Sequence, residues 1–371
     1  MIYLDNGATT FPKPEVVYQA MDTFARTGAV NAGRGAYAAA RAADQMIKNV
    51  RAGLISLMDA REQAQVVLTP SVTIALNQII YGQAWTENSI AYVSPYEHNS
   101  VLRPLHVLSK KIGFQVLELP LAEDLSIDLA KTAAMFEENP PSFVAVTAVS
   151  NVTGYILPHR EIFRLARRYG AFNLLDGSQA VGLIRLPFAQ TMADAICFAG
   201  HKTLYGPFGI AGFLIKNSAK LQVTLAGGTG TKSEDLSMPT SLPGSMEAGS
   251  KDTVAIAGLE AALKWLPSIK PLEHERAMAA HFIEEAGKID GVELYCAPGG
   301  LQNQAGVVSF GVRGFKAIEV AAILDNKYDI AVRAGHHCAA LIHQHLGSNK
   351  YAGTVRVSPG YFNTMEDIEV L

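Results

Sequence analysis

The feature that most constrains this chain is an alternation, between residues 36 and 215, of short apolar runs with amphipathic stretches of helical length. Candidate strands fall at 90–94, 115–119, 143–149, 172–175, 195–199 and 210–215. Several are nearly continuous in Val, Ile, Leu, Phe and Ala, the pattern of a strand buried on both faces. Candidate helices occupy 36–58, 73–84, 101–112 and 160–169. Strand–helix alternation of this kind predicts an α/β fold built on a mainly parallel sheet. Beyond Leu266-Pro267 the pattern changes to helix 272–289, strand 306–311, helix 316–326 and strands 330–333 and 354–358, the reading of a smaller α+β unit. The boundary is placed within a helix at 253–266. In open parallel sheets ligands bind beyond the carboxyl ends of the strands, so chemistry is sought among the polar residues there.

Charge and cysteine content remove several function classes. Lysines and arginines number 31 against 34 acidic residues, a net charge of −3, and no basic stripe suited to a phosphate backbone is present. Nucleic acid is therefore not an expected partner. Three cysteines, Cys197, Cys296 and Cys338, are odd in number and far apart, which argues for a reducing compartment. The start Met1-Ile2-Tyr3-Leu4-Asp5-Asn6 has neither the basic nor the apolar region of a secretory signal, and the expected location is the cytoplasm. The longest charge-free stretch, 139–158, is broken by Pro140, Pro141 and Gly154; it reads as a strand plus a loop, with no membrane association expected.

Three strand ends carry the polar residues of interest. Asp176-Gly177-Ser178-Gln179 follows one strand, Gly200-His201-Lys202 another, and Ser150-Asn151-Val152-Thr153-Gly154 a third. A buried carboxylate is costly without a cation, so a plain Asp176–Lys202 ion pair closing a structural cleft is one reading. The other is cofactor chemistry: an amine can form a Schiff base with pyridoxal phosphate, which needs an acid beside its ring nitrogen. Lys202 and Asp176 fit those two tasks, and His98 could offer an imidazole face to the ring. Ser71-Val72-Thr73 leads into a helix whose N-terminus could hold a phosphate, although taken alone these residues read better as a simple Ser/Thr cap. The cluster Gly227-Gly228-Thr229-Gly230-Thr231 lacks a dinucleotide fingerprint and reads as a loop. Cys338, in Arg333-Ala334-Gly335-His336-His337-Cys338-Ala339, is either a nucleophile or, with His336, His337, His343 and His345, part of a zinc ligand set. Zinc would leave Lys202 and Asp176 unexplained, and no metal site is assigned.

Taken in order, these segments resemble the class V, fold-type I pyridoxal phosphate enzymes, and within them the group II (SUF-type) cysteine desulfurases and selenocysteine lyases. The resemblance spans almost the whole chain. It runs from Tyr3-Leu4-Asp5-Asn6-Gly7-Ala8-Thr9-Thr10 and Asn31-Ala32-Gly33-Arg34-Gly35 through Glu97-His98-Asn99, Ser150-Asn151, Asp176–Gln179 and Gly200-His201-Lys202. It continues in Glu247-Ala248-Gly249-Ser250, Arg333–Ala339, Arg356-Val357-Ser358 and Tyr361-Phe362-Asn363-Thr364.

It implies a large cofactor-binding domain over 16–258, and a small domain from 1–15 and 259–371 carrying the Cys338 loop. Lys202 would carry the cofactor, Asp176 would face the ring nitrogen and His98 would stack on the ring. Asn151 and Gln179 would lie on the ring-hydroxyl side. Ser71, Val72, Thr73 and His201 would hold the phosphate, with Ser250 reaching across from a second subunit of a homodimer. Arg356 would bind the substrate carboxylate, with Asn31 and Arg333 nearby. Cys338 would accept sulfur as a persulfide, its thiolate favoured by Arg333 or a protonated His337, and pass it to a small sulfur-acceptor protein. The implied reaction is L-cysteine to L-alanine; the alternatives are L-selenocysteine as substrate, or an aminotransferase or lyase reaction on the same scaffold. The chain departs from the family pattern at Ala199, where Ser or Thr is usual, at Val72 and Ile74 in the phosphate loop, and at Ser250-Lys251-Asp252 in place of Thr-Pro-Asn. Ala199, Val72 and Ile74 would also fit a non-catalytic sulfur-trafficking or regulatory paralogue.

Overall fold

The structure is a computed structural model that describes residues 1–32, 35, 37–230 and 234–371. Gly33, Arg34 and Thr231 of the quoted motifs, and Ala36 at the expected start of a helix, lie outside the described residues. Among the described residues the largest sheet has seven strands. Their spatial order is Ala64–Thr69, Ala211–Lys216, Ala195–Ala199, Phe172–Asp176, Phe143–Thr147, Ile90–Val93 and Gln115–Glu118. Ala211–Lys216 runs antiparallel to both neighbours; every other pairing is parallel.

The near-continuous apolar runs follow from burial on both faces. Val144, Val146, Leu175, Ile196 and Phe198 point into one core, with Val50 and Leu54 of helix Ala38–Leu57 and Ile256 and Leu259 of helix Thr253–Trp265. Ala145, Leu174 and Cys197 alternate onto the other face, against Leu76 and Ile79 of helix Val72–Tyr81 and Val101 and Leu105 of helix Asn99–Ile112. Each face is thus closed by helices, and the row of strand ends is left open to a ligand.

A second sheet is antiparallel throughout, in the order Arg333–Gly335, Thr354–Val357, Val308–Val312, Val292–Tyr295. Met278 and Phe282 of helix Pro271–Ala286 pack beneath it with Phe310 and Val355. The first residues of the chain attach here. Ile2–Tyr3 pairs in parallel with Ile330–Ala331, and Asp5 forms an isolated bridge with Ser358.

Several strand assignments differ from expectation: Ile2–Tyr3, Ala64–Thr69 and Val292–Tyr295 are unannounced, and one expected strand is divided. Ala64–Thr69 follows the long helix after a short, largely polar link at 59–63, and its apolar run is too short to show a period. The single strand expected at 330–333 is two: Ile330–Ala331 pairs with the N-terminus and Arg333–Gly335 joins the four-stranded sheet. No helix among the described residues is long and apolar enough to cross a membrane.

Candidate active site

The carboxyl ends of the parallel strands surround a cavity of about 180 Å³. Asp176 closes its own strand and is 4% exposed. Its Oδ1 accepts hydrogen bonds from the Ser178 amide, at 2.9 Å, and from the Ser178 hydroxyl. The intervening Gly177 is required, since a Cβ there would meet the Cys197 carbonyl at 2.6 Å. Lys202 follows the next strand by three residues and lines the same cavity. Among the described residues it makes no ion pair with Asp176 within 4.0 Å, so the simple structural bridge is not what holds these two groups. Burial pulls the Lys202 amine from its ordinary 10.5 down to about 8, against the opposing pull of Asp176. An amine so lowered is partly free at neutral pH, as a nucleophile or base must be.

The turn bearing Lys202 is clamped from the chain start. The His201 carbonyl accepts from Thr9 Oγ1 at 2.9 Å, Lys13 Nζ at 2.8 Å and the Thr10 amide at 3.1 Å. His201 stacks on Phe208 with ring centroids 4.4 Å apart, and its buried Nδ1 has no partner. Burial, with the Lys202 and Lys13 amines beside it, lowers its pKa from 6.5 to about 3.

Helix Val72–Tyr81 points its N-terminus at this cavity, which Val72 and Thr73 line. Ser71 is the N-cap, accepting from the Ile74 amide at 3.3 Å, and it is not among the residues lining the cavity. Thr73 Oγ1 lies 3.1 Å from Ser100 Oγ, and Ser100 Oγ lies 2.9 Å from His98 Nδ1. The Ser100 amide donates to that same Nδ1 at 3.0 Å, so the ring proton sits on Nε2. Burial and the Lys202 amine drive the His98 pKa from 6.5 to about 4, leaving a neutral ring.

Asn151 and Gln179 also line the cavity. Gln179 Nε2 donates to the Gly7 carbonyl at 2.7 Å, and Asn151 Nδ2 to the His337 carbonyl at 2.7 Å. Arg356 is 2% exposed, donating to the Asn151 carbonyl at 3.1 Å and to Asp5 Oδ1 at 2.6 Å, while its buried Nε has no partner.

Cys338 sits outside. It is exposed and lines a separate groove of about 370 Å³ with Asn77, Asn99 and Arg103. Thr73, His98 and Ser100 line both spaces and form the wall between them. The loop is pinned by the Asn99 amide donating to the Cys338 carbonyl at 2.6 Å. His337 and Cys338 have φ of +47° and +58°, the left-handed region, which costs a non-glycine residue about 1 kcal/mol.

One expectation about this loop is corrected. His337 cannot assist the thiol as an imidazolium: it is buried, its Nε2 lies 2.9 Å from Thr354 Oγ1, and burial next to Arg356 drives its pKa well below 6.5. The ring is a neutral prop. Two further residues lie apart from the cavity. Asn31 and Ser250 border a polar depression with Arg51, Gly228 and Gly230. Among the described residues no group of three or more His, Cys, Asp or Glu side chains converges as a metal site.

Ser100, Ser178 and Asp5 are participants to which no role is assigned from sequence. Ser100 is signalled only by a hydroxyl at a helix start, and Asp5 by nothing local, since its partners are 328 and 351 residues away. The donor set suits pyridoxal phosphate. An unpartnered buried imidazole nitrogen, an open helix N-terminus and the Thr73 hydroxyl await an anion, while a lowered amine and a buried carboxylate flank the space beyond. Ala199, without a hydroxyl, is 2% exposed and removes one donor from that set.

A family model, Aminotransferase class-V, matches residues 2–371. A probable cysteine desulfurase of Methanothermobacter thermautotrophicus is 31% identical over 379 residues, covering 100% of this chain and 92% of the relative. A cysteine desulfurase of Salmonella agona is 30% identical, covering 100% and 91%. Among solved structures, an apo cysteine desulfurase from Thermococcus onnurineus superposes with TM-score 0.89 at 28% identity, covering 99% of this chain and 92% of that one. A cysteine desulfurase from Escherichia coli gives 0.85 at 26%, covering 100% and 92%.

Proposed function

We propose that the chain, which belongs to the class-V aminotransferase family, is a pyridoxal-phosphate-dependent cysteine desulfurase that converts L-cysteine to L-alanine and leaves sulfur on Cys338. The observation that carries this reading is the thiol one wall away from the lowered amine: Cys338 and the Lys202 cavity share only Thr73, His98 and Ser100. Transamination alone needs no such thiol.

Thr73, His201 and the amides at the start of helix Val72–Tyr81 would hold the phosphate, His98 would cover the ring, and Asn151 and Gln179 would serve its hydroxyl. Bound there, the cofactor supplies an aldehyde for the substrate amine and an electron sink for its α-carbon. Asp176, fixed by Ser178, keeps a proton on the ring nitrogen. Arg356 would take the substrate carboxylate, a task its guanidinium geometry suits; among its donor atoms Nε has no partner, while Nη1 and Nη2 donate to Asn151 and Asp5. Lys202, free as an amine near its pKa of about 8, removes the α-proton and later returns one to the carbon skeleton. The Cys338 sulfur attacks the substrate sulfur; the carbon–sulfur bond breaks and a sulfur–sulfur bond forms. Cysteine plus thiol gives alanine plus persulfide, so no external oxidant or reductant is consumed.

The persulfide sits on an exposed loop and requires an acceptor, proposed to be a small sulfur-carrier protein. Ser250, outside its own cavity, is proposed to reach the phosphate of a second copy. The deciding experiment incubates purified protein with L-cysteine and, separately, L-selenocysteine, with and without a thiol acceptor. It measures alanine together with sulfide or selenide. Equal amounts of alanine and sulfide from L-cysteine are expected; alanine from neither amino acid ends this reading.

A further inference from the structure

Tyr205 lies three residues beyond Lys202 and closes the same turn, its amide donating to the Lys202 carbonyl at 2.8 Å. Its φ of +57° is a left-handed conformation that a tyrosine holds only under constraint. That constraint lies at the far end of the side chain. The ring is 1% exposed and edge-on to Trp265, with centroids 5.2 Å apart. Its hydroxyl accepts from the Tyr361 amide at 2.9 Å and donates to Glu275 Oε1 at 3.3 Å. Both partners belong to the other layer. Glu275 is on helix Pro271–Ala286 beneath the antiparallel sheet, and Tyr361 follows Arg356 by five residues. Glu275 is buried, no cation among the described residues offsets it, and burial raises its pKa from 4.5 to about 8. The carboxyl is therefore neutral at pH 7 and takes the phenol proton without adding a charge to the interior. The fit is close: a Cβ on Gly306 would meet the Glu275 Cβ at 2.7 Å.

We infer that Tyr205 is a positioning residue, its hydroxyl fixing the Lys202 turn to the layer that carries Arg356 so that amine and guanidinium keep one separation. The inference rests on the desulfurase reading, in which Arg356 holds the substrate carboxylate and Lys202 works on the α-carbon. That carbon is bonded directly to the carboxylate, so the substrate bridges a fixed length between groups carried on different sheets. A displacement of about 1 Å between them costs up to about 10²-fold in rate. Tyr205 is not among the residues lining the cavity, and it acts through the turn it closes.

The test compares Tyr205→Phe, Glu275→Leu, their double variant and Glu275→Gln as holoenzymes. Alanine formation from L-cysteine is expressed per bound cofactor, read from its absorbance, so that an unfolded fraction does not count. Tyr205→Phe keeps the ring and is expected to lower kcat about tenfold, with KM within about twofold of the wild type. Glu275→Leu should fall part of the way, and the double variant should be no slower than Tyr205→Phe, because both changes break one link. Glu275→Gln keeps an acceptor oxygen and should stay within about twofold of the wild type. Amide hydrogen exchange of the segment 200–206 gives a readout that needs no turnover, and it should quicken about tenfold in Tyr205→Phe but not in Glu275→Gln. A wild-type kcat per bound cofactor in Tyr205→Phe, or losses that add in the double variant, overturns the inference and leaves the hydroxyl an ordinary core hydrogen bond. If Glu275→Leu fails to fold, Tyr205→Phe against Glu275→Gln decides. Absence of alanine from the wild type ends the desulfurase reading alone, and the exchange pattern then decides whether Tyr205 holds the turn.

Discussion

The inner cavity and the outer thiol loop solve opposite problems. Inside, Asp176 and Lys202 stand at the end of a strand or within three residues of one, and each is fixed by its own neighbourhood: Ser178 on Asp176, Ser100 on His98, a three-donor clamp on His201. Outside, Cys338 sits on a loop whose conformation is unfavourable for two successive residues and whose pins come from other parts of the chain. Rigid elements hold groups whose alignment must not change; a strained loop on few pins suits the role proposed for the thiol, which would meet a substrate on one side of a wall and an acceptor on the other. On that proposal, cofactor chemistry and sulfur delivery are separable parts of one site.

Substitution can break that separation or sharpen it. The largest effect is expected from Lys202→Ala, which removes both parts' common requirement. Alanine formation should fall by about 10³-fold or more, the range of a lost general acid–base group, together with the yellow cofactor absorbance. Cys338→Ala should abolish sulfur transfer while that absorbance persists, measured on the same samples. Sulfide release at the wild-type rate from Cys338→Ala would merge the two regions again and remove the thiol from the mechanism.

The inner region was legible because its residues lie where a buried strand stops. The runs ending at Ala199 and near Val149 and Leu175 place Lys202, Asn151 and Asp176 at one edge once these strands are taken as parallel, and these three are so. The outer region was legible only as a motif. Nothing near Cys338 states that Asn99 and Asn151 hold its loop, or that His337 is a neutral prop on Thr354, because hydrogen bonds across 186 residues leave no local pattern. Asp5 escaped for the same reason, and the strand Ala64–Thr69 because a short apolar run has no period to read.

A medium effect tests the pins. Asn151→Ala leaves the buried His337 carbonyl without its donor, a loss of about 1–3 kcal/mol. Amide hydrogen exchange of the segment 335–340 should quicken by roughly tenfold or more, while exchange in the strand Phe172–Asp176 stays put. Equal protection of the loop in both proteins would mean that the two regions are not joined through Asn151.

The smallest effect concerns protons behind the loop. His343 is fully buried on helix Ala340–His345, its Nδ1 2.7 Å from Ser348 Oγ and its Nε2 without a partner. Burial, with His336 beside it, lowers its pKa from 6.5 to about 4. Between those values the unfolded chain binds a proton that the folded chain refuses, so this residue's contribution to stability is lost as pH falls from about 6.5 toward about 4. Replacing it by a group that does not titrate, His343→Asn, should flatten the acid loss of stability by at most about 1.4 kcal/mol per pH unit. Urea unfolding at pH 7 and pH 5 measures the difference. The buried Glu97 and Glu275, raised to about 8 by burial, act in the opposite sense in both proteins and cancel from the comparison. An identical pH dependence for the two proteins would show that His343 takes up its proton in the fold, and that the support behind the thiol is not the neutral apolar one its burial describes.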